Sequence, residues 1–129
     1  MAITVRWDNE EKTIVRWNFS GRWTAEDLYG AHARTLALAK SVDHTVYGLG
    51  AVHSPSPLPF STINEQLMAR WPANMHHFVF VGAGGLVESM FSLLSRTSPH
   101  VPRMIFVNTC AEAYEIITQL HLKEIYVSL

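Results

Sequence analysis

Near the start of the chain, apolar side chains occupy every second position. Two such runs flank the polar stretch 8–12, and their apolar members are Ile3, Val5 and Trp7, then Val15, Trp17 and Phe19. A period of two is typical of a strand with one buried face, and a short polar stretch between two such runs favours a reversing turn. The pattern predicts an antiparallel hairpin in which Trp17 points into the core.

After the hairpin the apolar spacing changes to three and four residues. The positions concerned share one helix face, and they are Leu28, Ala31, Thr35, Leu38 and Val42. Thr24 and Asp27 stand three residues apart, as in a capping box, and acids in the first turn suit the helix dipole. We expect a helix from Thr24 to about residue 41, with its apolar face toward the core.

Three later runs are almost continuously apolar, and they cover residues 45–52, 77–82 and 103–107. Runs of this kind are typical of parallel strands that are buried on both faces. Gly48 and Gly50 lie inside the first run, where we expect them to let a helix pack closely against the sheet.

Breaks and caps divide the rest of the chain. The segment 53–59 holds three prolines and predicts a loop, and one helix is expected on each side of the 77–82 strand. Thr109 and Glu112 form a capping box for a last helix. Residues 124–129 are expected to form a short extra strand or an arm.

Strands that alternate with helices indicate the α/β class, with right-handed crossovers and helices on the faces of the sheet. We therefore predict a single domain, residues 1–129, with a mixed, mainly parallel sheet of about five strands. An N-terminal hairpin opens this sheet, and the remaining β and α elements alternate.

This order of elements resembles the SpoIIAA-like fold, which STAS domains share with the lipid-binding SEC14 type. The residues that carry the resemblance span most of the chain: Trp23–Asp27, Val46–Gly50, Phe78–Gly82, and Ile105–Thr109 leading into Glu112 and Ala113. The STAS resemblance implies a signalling or protein-interaction module, and the SEC14 resemblance implies a domain that binds a lipid or another small ligand.

Phosphoregulated STAS proteins carry an Asp-Ser pair after the central strand, and a kinase phosphorylates that serine. The equivalent stretch, 51–56, has no Asp-Ser pair, and a proline follows each of its two serines. Ser54 and Ser56 are therefore candidate phosphosites that depart from the family pattern.

Composition narrows the class of protein. Apolar residues make up 48% of the chain and charged residues 16%, against roughly a quarter in an average domain. The net charge is −1, so basic side chains are not in excess. The sequence therefore gives no reason to expect the basic patch that binding to nucleic acid or to an anionic membrane would require. One cysteine, Cys110, allows no internal disulfide, and no stretch is long and apolar enough to span a membrane. We expect a cytoplasmic protein without a signal peptide.

Candidate chemistry is sparse. The seven histidines show no metal-ligand spacing beside a carboxylate or thiolate set, so no metal and no cofactor is expected. Gly82, Gly84 and Gly85 follow a strand and open a predicted helix, where backbone N–H groups attract a small anion. His53 and Ser54 are the candidates for a minimal enzyme whose site the sequence does not otherwise reveal.

Several apolar side chains have no assured place in the core. The interface candidates are Trp7, Phe60, Trp71, Ile125, Tyr126 and Val127. A second hypothesis uses part of this set, because the 53–60 loop with Trp71 and Met75 can flank an apolar pocket at the carboxyl ends of the strands.

Taken together, these patterns favour a non-enzymatic, cytoplasmic, STAS-like signalling or protein-interaction module that forms a homodimer or binds a protein partner. Two alternatives stay open, a domain that binds a small apolar ligand or lipid, and a minimal enzyme with an unrecognised active site.

Overall fold

A computed structural model of the 129-residue chain describes residues 2–52, 70–82 and 101–128. The two helices expected on either side of the 77–82 strand lie outside these residues. So do the loop 53–59 and its serines.

The chain begins with the predicted hairpin. Strand β1 covers Ile3–Trp7 and pairs antiparallel with β2, Ile14–Phe19, so that Trp7 faces Val15. Asn9 closes the turn, because its side-chain Oδ1 accepts hydrogen bonds from the backbone N–H groups of Thr13 at 3.0 Å and Ile14 at 3.2 Å. The polar stretch between the two runs therefore forms a turn whose hydrogen bonds are satisfied locally.

Helix α1 covers Ala25–Lys40. Thr24 caps it as predicted: its Oγ1 accepts from Asp27 N at 3.2 Å, and the Asp27 carboxylate accepts from Thr24 N at 2.9 Å. The helix buries one face against the sheet, and its buried members are Leu28, Ala31, His32, Thr35 and Ala39. His32 is the member that apolar spacing alone does not predict.

Three parallel strands continue the sheet: β3, Val46–Val52, β4, Met75–Val81, and β5, Arg103–Val107. The order across the sheet is β1-β2-β3-β4-β5, with one antiparallel pair and three parallel pairs. The α/β class and the five-stranded sheet are confirmed. The alternation of strands and helices is confirmed in part, because helices are described only after β2 and β5.

Helix α2 covers Cys110–Ser128. At its start one half of the predicted capping box is formed, since Thr109 Oγ1 accepts from Glu112 N at 3.2 Å, and the Thr109 hydroxyl also donates to the Glu112 carboxylate at 3.2 Å. The prediction of a strand or arm at 124–129 is wrong, because the helix continues through Ser128. No glycine or proline interrupts 110–129, and Glu124 hydrogen-bonds to the sheet below it.

The two faces of the sheet bury separate cores, one under each helix. Under α1 the core is strongly aromatic, and its largest members are Trp17, Phe19, Trp23, Trp71, Phe78 and Phe80. Trp17 is fully buried, and its indole Nε1 donates to Thr35 Oγ1 at 2.7 Å. Thr35 Oγ1 in turn donates to the carbonyl oxygen of Ala31 at 2.9 Å. A polar tie between β2 and α1 thus runs through an apolar core.

Gly48 and Gly50 serve a different purpose from the one expected. In the parallel register Gly48 faces Phe78 and Gly50 faces Phe80. A Cβ at Gly50 would lie 2.7 Å from Phe80 Cδ1, and a Cβ at Gly48 would overlap the Phe78 ring. Within the described residues the glycines therefore accommodate aromatic rings from the neighbouring strand, a use that the sequence pattern did not predict.

Under α2 the core is smaller and mostly aliphatic. Its buried members are Ile14, Tyr47, Leu49, Val79, Val81, Ala113 and Ile117. β3 supplies side chains to both cores and is buried along its whole length, as expected for a central parallel strand.

A side chain from α1 hydrogen-bonds to the backbone of β1 on the side that faces away from β2. Within the described residues β1 pairs only with β2. Arg34, from the exposed side of α1, donates from Nε to the carbonyl of Val5 at 2.8 Å.

Candidate functional site

The last two turns of α2 carry the large apolar side chains that the described part of the chain leaves exposed. Leu122 and Ile125 are about half exposed, while Tyr126 is 75% and Val127 86% exposed. Because α2 returns across the sheet from the end of β5, these turns lie near the amino end of β3, beside Thr45 and Tyr47. This part of α2, 122–127, is named the apolar end of α2.

A carboxylate clamp holds the apolar end in place. Tyr47 OH donates to Glu124 Oε2 at 2.6 Å, and Thr45 Oγ1 donates to Glu124 Oε1 at 2.8 Å. Burial opposes the ionisation of Glu124, but these two hydrogen bonds and the nearby His76 and His121 together outweigh it, so its pKa lies below the ordinary value. The charged clamp ties the helix to β3 and to the residue before it.

Aromatic and basic groups surround this clamp. The ring of His77 stacks on Tyr47 at 6.4 Å, and His121 meets it edge-on at 6.2 Å between ring centroids. Burial lowers the pKa of His77, and the nearby positive charges of His76 and Arg103 lower it further.

The tyrosine of the clamp is a donor at neutral pH. Burial raises the pKa of Tyr47, and its hydrogen bond to the Glu124 carboxylate raises it further. A tyrosine with a raised pKa keeps its proton, and so it holds Glu124 without being poised as a base.

A second polar cluster ties the first turns of α2 to the hairpin. Tyr114 OH lies 2.8 Å and 2.9 Å from the two carboxylate oxygens of Asp8. Arg16 reaches both groups from β2, with Nη1 at 3.4 Å from Asp8 Oδ1 and 3.3 Å from Tyr114 OH. The helix is thus fixed to the sheet near both of its ends.

The outward face of α2 has its own pattern. Glu112, Glu115, Gln119, Leu122, Lys123 and Tyr126 are exposed, and Ile116 is half-buried. They recur at intervals of three and four residues, which places them on one side of the helix. A depression of about 390 Å³ follows this side and is lined by Ile116, Gln119, Leu120, Leu122, Lys123 and Tyr126.

A second cleft, of about 540 Å³, opens on the other face of the sheet. It lies between the end of α1 and the segment 70–74, which leads into β4. Trp71 lines it and stacks on Trp17, and its ring meets the buried His32 edge-on at 4.9 Å. Among the described residues neither Trp71 Nε1 nor His32 Nε2 has a hydrogen-bond partner.

Most of the ligand and phosphosite candidates lie outside the described residues. These are His53, Ser54, Ser56, Gly84 and Gly85, and the interface candidate Phe60 lies there too. Gly82 is described: it has φ +71° and donates its N–H to the carbonyl of Val107 at 3.2 Å. That N–H is already used within the sheet.

The remaining interface candidates fall in three different places. Ile125, Tyr126 and Val127 lie together at the apolar end of α2. Trp7 is half-buried and packs against the aromatic core. Trp71 is buried, at 8% exposure, and presents little surface to a partner.

The placement of Trp71 and Met75 at the carboxyl ends of the strands is wrong. β4 begins at Met75. Both residues therefore lie at the amino end of that strand, on the side of the sheet opposite to the carboxyl ends. The loop that was expected to flank a ligand pocket with them lies outside the described residues, and the ligand hypothesis stays a prediction.

The described residues lack the features that metal binding and membrane insertion would require. Within 2–52, 70–82 and 101–128, no three histidine, cysteine or acidic residues come together as a metal site. In the same ranges no helix combines the length and apolarity needed to cross a membrane.

Comparison with known proteins found no family model, no curated protein and no solved structure that matches this chain. The resemblance to the SpoIIAA-like fold therefore stays a prediction.

Proposed function

We propose that the chain is a non-enzymatic protein-interaction module of the SpoIIAA-like type, which associates with a second copy of itself through α2. The apolar end of α2 is the observation that carries the proposal. Contiguous large apolar side chains on the surface of a soluble domain are typical of contact sites. Tyr126 and Val127, at 75% and 86% exposure, are far more exposed than the apolar residues of either core.

The attachment of the helix supports this proposal. A binding surface that is ordered before it meets its partner loses less conformational entropy on association. Glu124 ties the apolar end to Thr45 and Tyr47, and Tyr114 ties the first turns to Asp8. The surface is therefore presented on a helix that is held at two points.

A second copy is favoured as the partner by the distribution of charge. A net charge of −1 causes little repulsion between copies. The outward face of α2 carries both signs, with Glu115 and Lys123 both exposed, so that two such faces can complement each other. A role in signalling, by resemblance to STAS domains, and a cytoplasmic location, supported by the single free Cys110, belong to the same proposal.

Light scattering over a dilution series tests the proposal. The wild-type chain should show a mass that rises with concentration toward that of a dimer. The double variant Tyr126→Lys, Val127→Lys should stay monomeric, because two ammonium groups would have to be buried in the contact.

A matched control adds the same charge elsewhere. Ala33 and Ala37 are exposed on α1, on the other face of the sheet, and the variant Ala33→Lys, Ala37→Lys should associate like the wild type. A wild-type chain that stays monomeric at the highest soluble concentration would overturn the proposal.

A further inference from the structure

The outward face of α2 is complementary to itself when two copies run antiparallel. Gln119 stands at its centre. Three residues before it lies Ile116 and three after it Leu122, while four residues before it lies Glu115 and four after it Lys123. A two-fold axis through Gln119 therefore places Glu115 opposite Lys123 and Ile116 opposite Leu122.

We propose that two copies pair through their α2 helices in this antiparallel register, with Glu115 of each copy facing Lys123 of the other. This inference rests on the self-association proposed above and specifies its geometry. A two-fold contact is isologous, so each favourable pair occurs twice.

The shape of the surface agrees with this register. The depression along α2 includes both Ile116 and Leu122 in its lining. In the antiparallel register Leu122 of one copy meets Ile116 of the other inside this depression. Tyr126, seven residues after Gln119, then lies against Glu112 of the second copy, where the Tyr126 hydroxyl can donate to a carboxylate.

The charges on this face are available for such pairing. Glu115 and Lys123 are exposed, and within the described residues neither takes part in an ion pair. In the reverse, parallel arrangement Glu115 would face Glu115 and Lys123 would face Lys123. Like charges therefore disfavour the parallel pairing, and this selects the antiparallel one.

The size of the contact sets its strength. α2 has 19 residues and is about 28 Å long at 1.5 Å per residue. A single pair of helices of this length buries less than the roughly 800 Å² per partner that is usual in stable complexes. We therefore expect a weak, reversible dimer whose dissociation constant increases with salt.

A charge-swap experiment tests the register by sedimentation equilibrium at low salt. Glu115→Lys alone and Lys123→Glu alone should each raise the dimer dissociation constant about tenfold, because two attractive contacts become repulsive. The double variant Glu115→Lys, Lys123→Glu should return it to within about threefold of wild type, since the pairs are restored with their signs exchanged. Circular dichroism checks that all variants keep their helices.

The possible outcomes separate the two proposals. A wild-type monomer would overturn both. A dimer that is lost in the Tyr126→Lys, Val127→Lys variant but is indifferent to the single charge reversals would keep the contact surface and refute the register. Weak dimers from both single variants, without recovery in the double variant, would refute the register as well.

Discussion

Gly50→Ala should destabilise the domain, although alanine normally suits a strand better than glycine. The new Cβ would lie 2.7 Å from Phe80 Cδ1 and 2.8 Å from Cε1, whereas carbon atoms in good contact are about 3.5–4.0 Å apart. The ring would have to move by about 1 Å. It is fully buried and is stacked between Phe78 at 4.6 Å and Phe106 at 5.6 Å, so this movement disturbs its neighbours.

The expected magnitude follows from these contacts. Overfilling a packed core costs about 1–3 kcal/mol, and the entropy that alanine removes from the unfolded chain offsets about 0.4–1 kcal/mol of it. We expect the free energy of unfolding to fall by about 1–2 kcal/mol on balance, measured by urea denaturation and followed by tryptophan fluorescence and circular dichroism.

Gly30→Ala is the matched control. Gly30 lies in α1, is exposed, and has no atom within 4 Å of the position a Cβ would take. The same substitution should therefore stabilise the protein by up to about 1 kcal/mol through helix propensity. Equal effects at the two glycines would show that the ring contact does not matter.

Combining Gly50→Ala with Phe80→Leu isolates the cause. The smaller side chain leaves room for the new methyl group, so the cost of Gly50→Ala should shrink, with a coupling of about 0.5–3 kcal/mol between the two positions. A Gly50→Ala variant as stable as the wild type, or a cost that is unchanged beside Leu, would refute the reasoning.

Two further predictions concern the polar groups. Tyr47→Phe removes one donor from the Glu124 carboxylate and should cost about 1.5–3 kcal/mol, with faster hydrogen exchange in the last turns of α2; unchanged exchange there would contradict the clamp. Burial lowers the pKa of His32 below its ordinary 6.5, so the unfolded chain binds a proton first as the pH falls. Stability due to this group should be complete above pH 6.5 and decrease as the pH falls toward the lower folded pKa. His32→Phe should flatten that part of a stability–pH profile, and an unaltered slope would contradict it.

Local patterns predicted the elements that depend on neighbours in sequence. The hairpin, the Thr24 cap of α1 and the presence of the three later strands follow from apolar patterns and capping residues, which act within a few positions of each other. The expected burial of β5 on both faces is wrong, because β5 lies at the edge of the described sheet and its residues are half-buried or exposed. The purpose of Gly50 did not follow, because it depends on the register that sets it against Phe80. The register depends on how two strands pair, and the sequence pattern of either strand alone does not determine it.

The candidate site shows the same division. The spacing of Glu115, Gln119 and Lys123 is visible in the sequence, but the expectation of a strand or arm from residue 124 ended the helix before its apolar end. The last turns of α2 are tied to the sheet by the hydrogen bond between Tyr47 and Glu124, which are 77 positions apart. Apolar period alone carries no information about such a partner.

The hydrogen bond from Arg34 to the carbonyl of Val5 affects how copies of this chain can meet. An edge strand with open backbone groups is a template on which other strands can add, and such addition leads to aggregation. Arg34 occupies one acceptor of that edge with a charged, solvated group. A second strand would have to break this bond and displace the guanidinium before it could extend the sheet beside β1. Strand addition at this side is therefore opposed by the fold itself, and the association that we propose through α2 leaves this edge uncovered and still guarded by Arg34.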